Sequence, residues 1–278
     1  MKHSMLSIIT VNLNNANGLR KTIKSVVEQT YTDFEYIVID GGSTDGSIEI
    51  IKEYADNITW WVSEPDSGIY NAMNKGILKS KGEFLLFLNS GDYLFDENVL
   101  GKMFSCETNC EFLFGNIIIK TQNGKLKREI GPGGNEISFY TFYLSTICHQ
   151  SSFIHRSLFE KYGLYDETLK IASDWKFLLK AIVLNKAIIK YMDIDVAYYD
   201  RYGISSIQKD LLKTEREKVL NELIPAAILN DYKEFEFDRI RIKRIRKYRF
   251  TTLLYRLFQI LIIRITILID LFRKIFYK

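Results

Sequence analysis

Phe84-Leu85-Leu86-Phe87-Leu88-Asn89-Ser90-Gly91-Asp92 decides the fold of this chain. Five consecutive apolar residues read as a strand buried on both faces, as in the middle of a parallel sheet. The run then breaks into Asn-Ser-Gly-Asp. Open α/β sheets bind ligands outside the carboxyl ends of their strands, so this turn delivers Asp92 to that edge. The same grammar occurs twice upstream. Leu6–Val11 runs into Asn12-Leu13-Asn14-Asn15, and Phe34–Ile39 runs into Asp40-Gly41-Gly42-Ser43-Thr44-Asp45-Gly46. Between them, Leu19, Ile23, Val26 and Val27 carry the apolar spacing of an amphipathic helix. Strand, helix and parallel strand form a right-handed βαβ unit, which puts both polar turns on one edge. The glycines after Asp40 let the backbone come close to a ligand.

Outward from this core, Thr44 is the expected N-cap of a helix through Ile48, Ile51 and Tyr54. A third strand, Ile58–Ser63, ends in the acidic turn Glu64-Pro65-Asp66-Ser67-Gly68. Ile69–Lys79 follows the helical period, and Asp96 is expected to cap a short helix through Phe104. Phe112–Lys120 and Lys125–Ile130 flank Gln122-Asn123-Gly124, a hairpin signal. Ile147–Ile154 reads as a strand with polar groups, His149-Gln150 among them, near its start. A helix from Ala172 to about Leu184 carries Ser173-Asp174-Trp175. Ile188–Val196 reads as a late strand and residues 208–235 as helix.

With 47% apolar and 26% charged residues, the 278-residue chain is a folded protein. Cys106, Cys110 and Cys148 lack metal-ligand spacing. As scattered thiols they point to a reducing, cytosolic setting, with no secretory signal expected. Charge is uneven. Residues 239–278 hold twelve Lys/Arg and one acid, a net of +11, while the first 238 hold 26 basic and 33 acidic groups, a net of −7. Around Phe250–Lys278 the polar positions Arg249, Arg256, Gln259, Arg264, Thr266, Asp270, Arg273, Lys274 and Lys278 fall on one half of a wheel at about 100° per residue. Preceded by the polybasic stretch Arg239–Lys247, this reads as an amphipathic helix lying on an anionic membrane surface. The alternatives for it are a homodimerisation helix or a lid. Nucleic acid is a poor partner for an acidic body.

Taken together, these segments resemble a family 2 glycosyltransferase of the GT-A fold, closest to bacterial enzymes that build O-antigen, capsule and exopolysaccharide. The motifs are Ser7–Asn12, Gln29–Glu35, Ile39–Gly46, Glu64–Gly76 and Leu88–Asp92, and the resemblance spans roughly residues 5–205. It implies an α/β fold with a Rossmann-like nucleotide-binding half (1–105), an acceptor half (106–205) and a mixed, mostly parallel sheet. A helical extension (206–238) and the basic amphipathic tail (239–278) would follow. It implies a metal-dependent, inverting transfer of a sugar from a nucleoside diphosphate, UDP first, to a glycan or lipid-linked acceptor in surface polysaccharide synthesis. The location would be the cytoplasmic, inner face of the membrane. Thr10, Asn12 and Asp40 would hold the nucleoside, and Asp66 would lie beside the base or sugar. Asp92 would hold Mg or Mn as the last acidic position of a DXD-like motif, and Asp174 would match the general base. His149, Gln150 and Trp175 would face the acceptor.

Two departures stand out. Asn89-Ser90-Gly91-Asp92 keeps one carboxylate where many relatives have Asp-x-Asp-Asp. Met73 replaces an Arg, leaving diphosphate charge to the metal, Lys75 or another base. Asp166 and Asp193 compete with Asp174 for the base role. The first turn has no Gly-x-Gly-x-x-Gly, which argues against a nicotinamide enzyme. It also has no basic Gly-rich loop for a nucleotidyltransferase. The rival reading is a membrane-associated protein that binds nucleotide sugars without catalysis.

Overall fold

The computed structural model describes residues 5–105, 109–120, 124–130, 137–200, 207–246 and 257–269. The chain divides into two compact units, Met1–Arg216 and Glu217–Lys278. In the first, β1 (Leu6–Asn12), β2 (Phe34–Asp40), β3 (Trp60–Ser63) and β4 (Phe84–Phe87) run parallel in the order β3-β2-β1-β4. Every residue of β1 and β4 is buried, because helices cover alternate side chains of the pleat. Ile8 belongs to the cluster of Leu19, Ile23 and Val26 from α1 (Ala16–Val27). Its neighbour Ile9 meets α2 (Ile69–Lys79) at Gly76, where a Cβ would stand 2.5 Å from the Ile9 Cγ2. Truncating such a side chain to Ala costs about 2–5 kcal/mol.

Beyond β4 the sheet turns antiparallel. A strand at Ser152–His155 pairs with β4, Phe112–Lys120 pairs with that strand, and Ile189–Asp200 runs parallel to Phe112–Lys120. Tyr93–Leu94 closes the edge, and Leu126–Glu129 forms the expected hairpin off Phe112–Lys120. Of that hairpin's turn only Gly124 is described, at φ +73°.

The structure corrects several local expectations. Thr44 does not cap. The helix starts at Ser47, Asp45 Oδ1 accepts from the Ser47 N–H at 3.2 Å, and Thr44 donates instead to Asn14 Oδ1. Asp96 stands ahead of a helix at Val99–Met103, accepting from the Asn98 N–H and pairing with Lys102. His149 opens a 3₁₀ turn (His149–Ser151) rather than a strand. The Asp174 helix, α3 (Ser173–Leu178), passes into π-type turns at Leu179–Leu184. Residues 208–235 form two helices, α4 (Lys209–Leu223) and α5 (Ala226–Arg246), split at Pro225, which has no N–H to continue the ladder. Residues 257–269 are helical and exposed throughout. Cys106 and the rest of the tail lie outside the described residues. Among the described residues no helix is long and apolar enough to cross a membrane.

Candidate active site

The strand order reverses between β1 and β4, and there the polar turns gather. Asn15 spans this switch point, its Nδ2 donating to the Ser90 carbonyl at 2.9 Å. On the β2 side, Asp40 is completely buried. Its Oδ1 accepts from Asn12 Nδ2 at 2.7 Å and Ser43 Oγ at 2.6 Å. Its Oδ2 accepts from the N–H groups of Gly42 and Ser43 and from Ser63 Oγ at 2.6 Å. Burial pushes the Asp40 pKa up, but the hydrogen bonds of Ser43, Ser63 and Asn12 outweigh it and hold it below the usual value. Asp40 therefore braces the Gly41-Gly42-Ser43 turn rather than standing open to solvent. Thr10 is likewise fully buried, its hydroxyl paired with Tyr36 Oη at 3.0 Å. Asn12 Oδ1 is a buried acceptor with no hydrogen-bond partner.

The turn after β3 closes over this one. The carboxylate of Asp66 lies against Gly41, where a Cβ would come within 2.6 Å of Oδ2. Lys75, on α2, pairs with Glu64 at 2.7 Å. Trp60 lies under Lys79 Nζ, 4.6 Å from the ring centroid, in keeping with a packing role.

On the β4 side, Gly91 at φ +107° makes the turn that only glycine adopts freely. Thr22 of α1 fastens it, donating to the Asp92 carbonyl at 2.7 Å and accepting from the Gly91 N–H at 3.0 Å. Asp92 is 6% exposed, and its Oδ2 accepts from Gln150 Nε2 at 3.0 Å. Among the described residues no three His, Cys, Asp or Glu side chains are grouped to hold a metal. Asp92 is thus the single carboxylate of this turn. That meets the minimum for a Mg-like ion, which takes one or two carboxylates plus phosphate oxygens and keeps several waters.

The structure brings His149 and Asp174 together. His149 Nδ1 lies 3.0 Å from Asp174 Oδ2, and His149 Nε2 lies 3.2 Å from Asn89 Nδ2. Tyr70 of α2 donates to Asp174 Oδ1 at 2.9 Å, and the Trp175 N–H donates to the same oxygen. The His149 and Asp174 side chains are 16% and 18% exposed, so both keep some contact with solvent. Burial raises the Asp174 pKa, but the hydrogen bond and charge of His149, then Tyr70, lower it overall. Burial lowers that of His149, and Asp174 followed by Asp92 raises it overall. At neutral pH Asp174 is ionised.

Trp175, in contrast, is 2% exposed, with Nε1 donating to the carbonyls of Phe142 and Ser145. It packs and presents no open face. The competing acids are engaged elsewhere. Asp166 is held at about 2, burial being outweighed by Thr168 and Lys176, and Asp193 is tied to Arg128 at 2.7 Å. The Cys148 thiol is pushed up to about 12, chiefly by burial, and is inert at neutral pH. Tyr70, Asn89 and Thr22 escape sequence reading, since each looks like an ordinary helix or turn residue until its partner, 60 or more positions away, is seen.

A Rossmann-like parallel half, a mixed second half and acidic turns at the switch point define the GT-A class of glycosyltransferase folds. The sequence profile described as "Glycosyl transferase family 2" matches residues 7–163, and the chain belongs to that family. A "PGL/p-HBAD biosynthesis glycosyltransferase" of Mycobacterium bovis is 30% identical over 77% of this chain and 84% of its own length. An uncharacterized glycosyltransferase of Mycobacterium tuberculosis is 34% identical over 64% of this chain and 69% of its own. Among solved structures, residues 1–349 of S. aureus TarS superpose with a TM-score of 0.62 at 21% identity, over 80% of this chain and 67% of that one.

Proposed function

We propose that this glycosyltransferase moves a sugar from a nucleoside diphosphate donor, UDP first, to a glycan or lipid-linked glycan, with inversion. The observation that carries the reading is that two acidic centres are reached from adjacent residues of one turn. Asp92 is reached by Gln150, and Asp174 by the adjacent His149, so one 3₁₀ turn links the donor edge to the acceptor side. The comparisons support the donor class. TarS has been solved with UDP-GlcNAc, and a mannosyltransferase from Pyrobaculum calidifontis, with a TM-score of 0.54, with GDP-Man and Mn2+.

In this reading the turns after β1, β2 and β3 receive the nucleoside. Asp66 is the group left to contact it, while Asn12 and Asp40 keep the turns in shape. A divalent cation, Mg or Mn, at Asp92 would neutralise the leaving diphosphate. Asp174 accepts the proton of the acceptor hydroxyl as its oxygen bonds to the anomeric carbon. The bond from that carbon to the diphosphate breaks, and its electron pair leaves with the nucleotide. His149 and Tyr70 fix the carboxylate in the orientation the attack requires. The tail supports a site of action at an anionic, cytoplasmic membrane face, where a lipid-linked acceptor would lie. The test is nucleoside diphosphate release from a panel of nucleotide sugars with Mg or Mn, with acceptor present or absent. Release from a UDP-sugar is expected, and no release from any donor would overturn the reading.

A further inference from the structure

We propose that Glu215 and Arg216, adjacent on α4, are positioning residues of the transfer: Glu215 holds the backbone that leads into Asp174, and Arg216 holds the ring that follows it. The proposal rests on Asp174 acting as the acceptor-side base. Both residues lie beyond the 7–163 segment that carries the family match.

Glu215 is 7% exposed, and among the described residues its hydrogen-bond donors are all backbone N–H groups. Its Oε1 accepts from the Lys170 N–H at 2.7 Å, and its Oε2 from the N–H groups of Ile171 and Ala172 at 2.9 and 3.0 Å. These three amides immediately precede α3, whose N-cap position, Ala172, has no capping side chain. Helix starts need acceptors for their free N–H groups, and here a distant carboxylate orders the approach to one. The middle residue links it to the site. The single proton of the Tyr70 hydroxyl is shared between the Ile171 carbonyl at 2.7 Å and Asp174 Oδ1 at 2.9 Å. A shift of the 170–172 backbone would move Tyr70 and Asp174 together.

Arg216 grips the other side. Its guanidinium carbon stands 4.9 Å from the Trp175 ring centroid, within cation–π range, while the ring's N–H is fixed to Phe142 and Ser145. Among the described residues Arg216 Nε has no hydrogen-bond partner. Burial lowers the Arg216 pKa, and attraction to Asp174 and Tyr70 opposes it. His149 from the 3₁₀ turn and Tyr70 from α2 hydrogen-bond to Asp174, and Cys148 ahead of that turn, Tyr165 from the loop before α3 and Arg216 from α4 interact with it through charge.

The test uses the full-length enzyme and compares Glu215→Gln, Glu215→Asp, Arg216→Met and Arg216→Lys. A misplacement near 1 Å costs up to about a hundredfold in rate. Glu215→Gln should therefore lower kcat roughly 10- to 100-fold, with donor KM and UDP affinity within about twofold of wild type. Glu215→Asp keeps the charge but not the reach, and should fall between. Arg216→Met removes a cation that favours ionised Asp174, so the acid limb of the kcat profile should move to higher pH. Arg216→Lys should restore it in part. Wild-type kcat in Glu215→Gln, or UDP affinity lost in parallel with kcat, would overturn the Glu215 role. An unmoved acid limb in Arg216→Met would overturn the Arg216 role, and is readable even where a Glu215 variant fails to fold. Full activity in Asp174→Asn would instead remove the base assignment beneath both.

Discussion

Replacing Asp40 with Ala separates a bracing carboxylate from a ligand contact. The side chain is completely buried and accepts five hydrogen bonds, from Asn12, Gly42, Ser63 and twice from Ser43. Hydrogen bonds to a charged group are worth about 1.5–3 kcal/mol each, but they do not add here. The serine hydroxyls can rotate to other acceptors, and water can enter the space left. What remains is a set of buried donors without their acceptor, for a net cost on the order of 3–5 kcal/mol. For a domain of this size that lowers Tm by roughly 6–20 °C. Urea unfolding of wild type and Asp40→Ala, followed by fluorescence, measures it. The loss should depend on pH with a defined sign. Asp40 has a depressed folded pKa, so its stabilisation is complete above the ordinary aspartate value near ~3.9 and is lost as pH falls through the lower folded value. The variant should lack that acid-side loss. Stability within about 0.5 kcal/mol of wild type, with nucleotide affinity alone reduced, would refute the bracing role.

Three further outcomes follow from the same geometry. Gly41→Ala sets a Cβ 2.6 Å from Asp66 Oδ2, forcing that carboxylate aside; titration should show UDP affinity about three- to tenfold weaker, ~0.7–1.4 kcal/mol, and unchanged affinity would remove Asp66 from the nucleotide pocket. His149 has a raised folded pKa, so its contribution is complete below ~6.5 and lost as pH rises through the folded value. Urea midpoints of His149→Gln and wild type should therefore differ at pH 6 and converge in alkali, and parallel curves from pH 5 to 9 would argue against the pair. Ending the chain after Asp238 changes the net charge from +4 to −7 and should abolish sedimentation with anionic liposomes. Full-length protein should detach as salt screens its charge over a Debye length of ~8 Å, and equal binding to neutral vesicles would point to a dimer interface instead.

The edge that carries the site is legible in the sequence because a strand covered on both faces must be apolar throughout, and a polar turn at its end is conspicuous. Phe84–Leu88 and its Asp92 show this, as do the turns at Asn12, Asp40 and Asp66. Which atoms of those turns remain open is not legible. Nothing local tells that Ser63 comes back to Asp40 across the β2–β3 register, or that Tyr36 takes the Thr10 hydroxyl across β1–β2. A carboxylate at a strand end thus reads the same whether it meets a ligand or holds its own turn. Asp174 could be singled out at a helix start, but its partners Tyr70 and His149 lie 104 and 25 residues away. Thr44 shows the same limit at short range, where Gly46 in a left-handed conformation takes the cap position, the helix starts at Ser47, and Asp45 accepts from the Ser47 N–H.

The measurement closest to the central claim is a calorimetric titration of UDP, with Mn2+, into wild type and Asp174→Asn, paired with transfer rates on the same preparations. In the proposed mechanism, nucleotide binding at the β1–β4 switch point and proton acceptance at Asp174 belong to separate turns. UDP affinity should therefore agree within about twofold between the two proteins, while transfer falls by on the order of 10²–10⁴ in the variant. No UDP binding by wild type with either Mn2+ or Mg2+, or a transfer rate unchanged by Asp174→Asn, would contradict the account.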